Sequence, residues 1–320
     1  MLPLSTSYRK ATYLLGIDMN QKPYGSGCGL FDGLVRKAVI PAAGLGTRLL
    51  SATKELPKEM LPVFSFNTNG KRCMKPLLEC VFEQLYDVGL REFCFVIGRG
   101  KRAIEDHFTP DCGYLRFLRE RGVNTANLEE FYDKLSNSTI IWANQPEPKG
   151  FGDAVLKAQR LVGEETFIVN AGDTLIISRN GLHFDRLVEN HRLLQAHATF
   201  IVHEVKNPSQ HGIVNIADKH GDAYSVKLAI EKPDCPPSNL AIIPIYVFHP
   251  IVFEALAQIK PGKGGEVQLT DAIQTLIDWK KKVYAIKLQP GEIRFDVGTP
   301  ETYWEALSLS FQENRGTYYL

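Results

Sequence analysis

Lys37-Ala-Val-Ile-Pro-Ala-Ala-Gly-Leu-Gly-Thr-Arg48 is a short apolar run that breaks into a glycine-bearing loop. The run, 37–43, reads as a buried strand. In open α/β sheets ligands collect beyond the carboxyl ends of strands, and glycine there lets backbone N–H groups come close to phosphate oxygens. A dinucleotide fingerprint needs a third glycine where Leu49 stands. A Walker A loop needs Gly-Lys-Ser/Thr where Gly46-Thr47-Arg48 stands. The loop therefore suits phosphate without matching either pattern, and taken alone it is equally an ordinary βα turn.

Outward from this loop, apolar runs at 93–98, 139–143 and 166–170 alternate with helical segments at 76–89 and 152–161. Leu77, Val81, Leu85 and Val88 form the apolar stripe of the first helix. The alternation predicts βαβ units: an α/β, Rossmann-like, mostly parallel central sheet flanked by helices. Residues 113–135 read as irregularly helical and 181–197 as a helix. Runs at 198–205, 212–216, 224–230 and 241–248 come next. Val226, Leu228 and Ile230 alternate with Lys227, Ala229 and Glu231, a half-exposed pattern that adds mixed or antiparallel strands. Helices at 250–258 and 266–279, strands at 283–288 and 293–297, and a helix at 300–310 complete the series. One domain, 37–310, is expected between an N-terminal extension, 1–36, and a tail, 311–320. In the extension the apolar run Ala11–Ile17 is at the short limit for a signal peptide and lacks a convincing cleavage site. The extension is expected to be dispensable.

The chain has 320 residues with 37 Lys plus Arg and 36 Asp plus Glu, a net charge of +1. No global field attracts nucleic acid or an anionic membrane, so a phosphate site must be built locally. No apolar run reaches the length of a membrane span. Six scattered cysteines, none in a C-x-x-C pair, fit buried reduced thiols and a cytoplasmic address.

Several residues downstream suit phosphate and sugar chemistry. Lys58, held between Pro57 and Pro62, can join Arg48 in neutralising a triphosphate. Asp173 closes the run Phe167–Ala171, and Asp296 ends another; each reads as a Mg²⁺ ligand or as a turn or cap aspartate. In Asn144-Gln145-Pro146 the Gln145 amide can donate to a pyrimidine carbonyl while accepting from its N–H. Glu231-Lys232-Pro233 offers a carboxylate for sugar hydroxyls and an ammonium for a phosphate, or a plain strand-ending turn. His211 reads as a structural histidine and Gly98–Arg102 as a solvated helix start.

The loop 37–48 with Pro57-Lys-Glu-Met-Leu-Pro62 resembles the bacterial and archaeal UTP–glucose-1-phosphate uridylyltransferases, within the wider sugar nucleotidylyltransferases. The resemblance continues in order through Gln145–Ala154, Gly172-Asp173, Glu231-Lys232-Pro233, Gly265–Asp271 and Asp296–Thr299, covering about 37–310. It implies a nucleotidyltransferase fold with a sugar-binding part over roughly 198–297. It implies that Ala43, Gly44, Leu45, Gly46 and Thr47 cradle the nucleotide, that Gln145 reads the base, and that Gly150 lets the base approach. It implies that Arg48, Lys58 and Lys232 neutralise charge in catalysis, that Gly212, Glu231 and Lys232 bind the sugar phosphate, and that Asp173 and Asp296 hold Mg²⁺. The expected partners are UTP or dTTP and glucose 1-phosphate, in a homo-oligomer.

The chain also departs from the family. Val63–Met74 lengthen the connection between Leu61-Pro62 and Lys75-Pro76 into a longer loop. Pro244 stands where the family commonly has glycine, near the expected sugar. Ala171-Gly-Asp-Thr174 and Asp296–Thr299 lean toward the thymidylyltransferases, while Glu59-Met60 and Gly265–Asp271 lean toward UTP. A glucose-1-phosphate thymidylyltransferase is the alternative enzyme, and a non-catalytic nucleotide-sugar sensor the alternative from another class. A nicotinamide dehydrogenase is disfavoured by the missing third glycine.

Overall fold

The computed structural model describes residues 35–67, 69–178 and 181–312. The expected extension therefore lies outside the described residues except for Val35 and Arg36. The strands are β1 (Lys37–Pro41), β2 (Pro62–Phe66), β3 (Arg72–Pro76), β4 (Glu92–Gly98), β5 (Thr139–Gln145), β6 (Phe167–Asn170), β7 (Thr174–Ile177), β8 (Ala198–Glu204), β9 (Gly212–His220), β10 (Ala223–Glu231), β11 (Leu240–Phe248), β12 (Val283–Lys287) and β13 (Ile293–Asp296). Nine of them form one sheet in the order β5-β4-β1-β6-β11-β8-β12-β10-β9. The half from β5 to β6 is wholly parallel; beyond it antiparallel ladders dominate. This is the expected mixed α/β sheet.

Alternation along β1 and β4 explains why both faces are covered. Ala38, Ile40, Phe93 and Phe95 point into one core, and Val39, Cys94 and Val96 into the other. The first core takes the stripe of α1 (Leu77–Asp87), with Phe131 and Leu135 of the helix Ala126–Ser136 and Phe184, Leu187 and Val188 of the helix Leu182–Leu193. The second takes Ala154 and Val155 of the helix Phe151–Lys157, and Leu269, Ala272, Ile273 and Leu276 of the helix Leu269–Asp278. Among the described residues no helix is long and apolar enough to cross a membrane.

Four expectations change. The segment 113–135 is two helices, Cys112–Glu120 and Ala126–Ser136, separated at Gly122. The simple alternation expected in β10 fails: register shifts between Tyr224 and Leu228 turn Val226 and Ala229 inward and leave Leu228 and Ile230 half-buried. A bulge adds a residue to one strand and re-aims the side chains beyond it. The 63–74 insertion is not a loop but the β2–β3 hairpin, clasped to the final helix, Pro300–Gln312, which runs past the expected start of the tail. Tyr303 Oη donates to the Pro62 carbonyl at 2.9 Å, and the Arg72 guanidinium lies 4.4 Å from the Phe311 ring centre. Finally, Cys80 and Cys94 are buried thiols, but Cys112 and Cys235 are exposed.

Candidate active site

The parallel strands end on one side of the sheet, and the loops that leave them carry the expected nucleotide residues. After β1, Ala43 is buried while Gly44, Leu45, Thr47 and Arg48 are exposed. Gly46 turns the chain with φ 66° and leads into a single 3-10 turn, Thr47–Leu49. The Thr53 hydroxyl donates to the Gly46 carbonyl at 2.8 Å and fixes the loop's shape. Arg48 reaches across to the Asp296 loop: a Cβ on Gly298 would lie 3.0 Å from Arg48 Nη2.

Lys58 begins a second 3-10 turn, Lys58–Met60, with its Cε 3.7 Å from where a Gly44 Cβ would stand. Its ammonium makes a short ion-paired hydrogen bond to Asp173 Oδ2. Burial works against the Lys58 charge, but Asp173 and then Glu59 outweigh it and hold its pKa above the ordinary lysine value. Burial likewise opposes ionisation of Asp173, yet the Lys58 charge and hydrogen bond hold its carboxyl below the usual range. Beneath them Glu59 and Lys101, both buried, pair at 2.8 Å. Lys101, expected to be solvated, thus anchors the turn that presents Lys58. The sequence alone shows no link between positions 42 residues apart.

Asp173 sits in a turn tied to two strands: Gly172 N–H donates to the Pro41 carbonyl and Ala171 N–H to the Pro244 carbonyl, each at 3.0 Å. Pro244, which has no N–H to give the ladder, occupies the register break between Ile243 and Tyr246, the kind of position where a strand tolerates proline. The two-stranded β7–β13 ladder puts Asp296 opposite Thr174, and Val297 N–H donates to the Asp173 carbonyl at 3.3 Å. Two carboxylates on neighbouring strand ends are hard oxygen donors of the kind Mg²⁺ takes with substrate oxygens. Among the described residues no cluster of three or more His, Cys, Asp or Glu could hold a metal by itself. The donor set fits a cation completed by substrate phosphates.

Arg294, absent from the sequence-level set, pairs with Asp296 at 2.9 Å and donates to His203 Nε2 at 3.2 Å. Its Nε is one of two buried side-chain atoms without a partner among the described residues. Burial and then Arg294 push His203 down to about 4. Burial, then Arg294, also lower His211.

On the expected sugar side Gly212 opens β9 and Glu231 closes β10 opposite it. Thr270 Oγ1 donates to Glu231 Oε2 at 2.7 Å. A Cβ on Gly212 would stand 2.7 Å from Thr270 Oγ1 and 3.0 Å from Glu231 Oε2. Glycine is needed here because three segments meet. Lys232 Nζ lies 3.2 Å from Glu231 Oε1, and its backbone takes a left-handed φ of 43°.

Gln145, at the end of β5, is 4% exposed. Its Nε2 donates to the Gly150 carbonyl at 3.0 Å and to Asp153 Oδ2 at 2.7 Å. Both amide hydrogens are therefore committed inside the protein, and the expected two-way pairing with a base edge is not available. Gly150 has a structural reason for being glycine, whatever the expected approach of a base adds. With φ 104°, a Cβ there would meet the Val267 carbonyl at 2.7 Å. Val267 N–H donates to the Lys149 carbonyl at 2.8 Å and Gly152 N–H to the Val267 carbonyl at 2.9 Å, stitching the 145–154 and 265–271 segments together.

The glycine loop after β1 with Lys58 and Asp173 beside it, and the Gly212–Glu231–Thr270 corner, are the arrangement expected of a nucleotidyl-transferring class of site. The chain belongs to the nucleotidyl transferase family, whose model matches residues 37–313. Within it, the chain is 39% identical over 268 residues to the UTP–glucose-1-phosphate uridylyltransferase of Bacillus subtilis (strain 168), covering 82% of this chain and 87% of that protein. It is 38% identical over 272 residues to the protein of the same name from Streptococcus pneumoniae serotype 4, covering 82% and 86%. Among solved structures, a UDP-glucose pyrophosphorylase complexed with UDP-glucose aligns with a TM-score of 0.75 at 30% identity, over 87% of this chain and 99% of that one. The UTP-bound UGPase from Acinetobacter baumannii aligns with a TM-score of 0.73 at 28% identity, over 89% and 96%.

Proposed function

We propose that this chain transfers a uridylyl group from UTP to glucose 1-phosphate, giving UDP-glucose and pyrophosphate. The observation that carries the reading is one juxtaposition: the Lys58–Asp173 pair, with Asp296 on the neighbouring strand, lies beside the first phosphate loop. The names of the relatives support the choice of substrates.

In the reaction an oxygen of glucose 1-phosphate attacks the α-phosphorus of UTP in line. A new P–O bond forms as the bond to the β-phosphate oxygen breaks, and pyrophosphate leaves. The attacking oxygen is already ionised at pH 7, so no general base is needed. Ala43, Gly44, Leu45, Gly46 and Thr47 hold the nucleotide phosphates. Arg48 and Lys58 stabilise charge developing on the departing pyrophosphate. Glu231 with Gly212 and Thr270 receives sugar hydroxyls, and Lys232 the sugar phosphate. Asp173 and Asp296 would hold Mg²⁺, which when bound supplies positive charge at the α-phosphate. The same reading makes the protein a cytoplasmic homo-oligomer, which equilibrium sedimentation tests for assembly.

A panel of UTP, dTTP, CTP, ATP and GTP against several sugar 1-phosphates, read by pyrophosphate release, tests the assignment. UTP with glucose 1-phosphate is expected to lead, with dTTP next. Preference for ATP would move the chain to a different branch of the family.

A further inference from the structure

We infer that Asp153 is a specificity-positioning residue: by holding the Gln145 amide nitrogen, it leaves only the amide oxygen to face the base. The inference rests on the proposed function and on the placement of Gln145 against the nucleotide base that the family resemblance implies.

A side-chain amide can turn over and exchange its donor and acceptor ends. Here the partners forbid it. The Gly150 carbonyl can only accept, and so can the Asp153 carboxylate. Asp153 Oδ1 is in turn 3.2 Å from Lys157 Nζ one helical turn on, so the carboxylate is held in place at the start of the helix Phe151–Lys157. Turning the amide over would set its oxygen against two acceptors in a buried position, losing one neutral and one charge-assisted hydrogen bond. Gln145 Oε1 takes no hydrogen bond among the described residues. Among the described residues the buried orphaned side-chain atoms are His183 Nε2 and Arg294 Nε alone, so Oε1 is not sealed off from the outside.

An acceptor fixed in this way asks for a donor. Uracil and thymine present an N3–H. Cytosine at the same point presents a bare N3 lone pair and is repelled. A six-membered purine edge with a bare N1, as in adenine, is repelled likewise. The amide discriminates imide bases from amidine bases and does not separate UTP from dTTP.

The test compares kcat and KM for UTP and CTP in four proteins: wild type, Gln145→Ala, Asp153→Asn and the double variant. Asparagine is isosteric with Asp153 but can donate as well as accept, so it no longer forbids the turned-over amide. Gln145→Ala and Asp153→Asn are each expected to shrink the UTP-over-CTP ratio of kcat/KM about tenfold or more, through KM more than kcat. Asp153→Asn should add nothing in the Gln145→Ala background, because it acts through that amide. If the asparagine variant does not fold, Asp153→Ala is read the same way. An unchanged ratio in Gln145→Ala would overturn the base-reading role and this inference with it. An unchanged ratio in Asp153→Asn alone, or an equal loss in both backgrounds, would overturn the positioning role while leaving Gln145 as the reader.

Discussion

Lys58 and Lys232 are both phosphate-facing lysines in this account, and the molecule treats them differently. The Lys58 side chain is 16% exposed, ion-paired with Asp173 and braced from below by Glu59 and Lys101. The Lys232 side chain is 43% exposed, at the end of an irregular strand, 3.2 Å from Glu231. The nucleotide side is thus a network of charges that stay paired within the protein before substrate arrives. The sugar side is a shallower corner built from hydroxyl and carboxylate oxygens. A charge that folding must bury needs its partner; one left near water does not. Stability and catalysis should therefore be coupled around Lys58 and separable around Lys232.

The largest effect that could break this contrast is at Asp173. Asp173→Asn is expected to lower kcat about 10²–10³-fold and also the melting temperature, since Lys58 loses its counter-charge. Steady-state kinetics with a thermal melt on the same sample checks both. Near-normal turnover at ordinary Mg²⁺ would remove Asp173 from the proposed metal site.

Next comes the pair itself. Lys58→Ala should weaken the nucleotide side and cost up to about 3 kcal/mol of stability, because it leaves a largely enclosed carboxylate unpaired. Lys232→Ala should raise KM for glucose 1-phosphate about 10- to 100-fold and change stability by no more than about 0.5 kcal/mol. Urea denaturation and kinetics with each substrate varied in turn separate the two. Equal destabilisation by both substitutions would erase the contrast.

A smaller effect sharpens the sugar side. Gly212→Ala puts a methyl 2.7 Å from Thr270 Oγ1 and 3.0 Å from Glu231 Oε2, so one of them must move. KM for glucose 1-phosphate should rise about tenfold with KM for UTP unchanged. A shift in the UTP constant instead would place Gly212 on the wrong substrate.

The effect that is smallest at neutral pH concerns charge in the core. His183 is fully buried, hydrogen-bonded to Ser178 Oγ, and pushed down to about 3 by burial and then by Arg186. An unfolded imidazole titrates near 6.5, so on acidification the unfolded chain takes the proton first. The contribution is fully present above about pH 6.5 and is lost as pH falls toward 3, by up to about 1.4 kcal/mol per pH unit. His183→Gln should flatten the dependence of unfolding free energy on pH between 6.5 and 4. An unchanged slope would show that other groups set it.

Legibility in the sequence divides along the same line. The phosphate loop and Asp173 are readable because each closes an apolar run that marks a strand end, and Lys58 because two prolines constrain its segment beside the loop. Glu231 and Gly212 were named by resemblance, but Thr270, which joins them, comes from a helix start 39 residues away from Glu231. Nothing local distinguishes a paired cation from a solvated one, so the sequence does not mark Arg294 and reads Lys101 as solvated. The hairpin at 62–76 carried a signal in Asn69-Gly70, a dipeptide common at hairpin turns, that reading the insertion as a loop passed over. Gln145 was identified as a reader, but its orientation depends on Asp153 and Gly150, and only the folded loop shows which end of the amide is free.

The central claim, direct uridylyl transfer at this site, is tested most directly by following the α-phosphate. UTP labelled at that position is incubated with the purified chain, Mg²⁺ and glucose 1-phosphate. The account predicts that the label appears in UDP-glucose in step with an equal amount of pyrophosphate, with none retained on the protein. Label held covalently on the chain, or pyrophosphate released without labelled UDP-glucose, would contradict it.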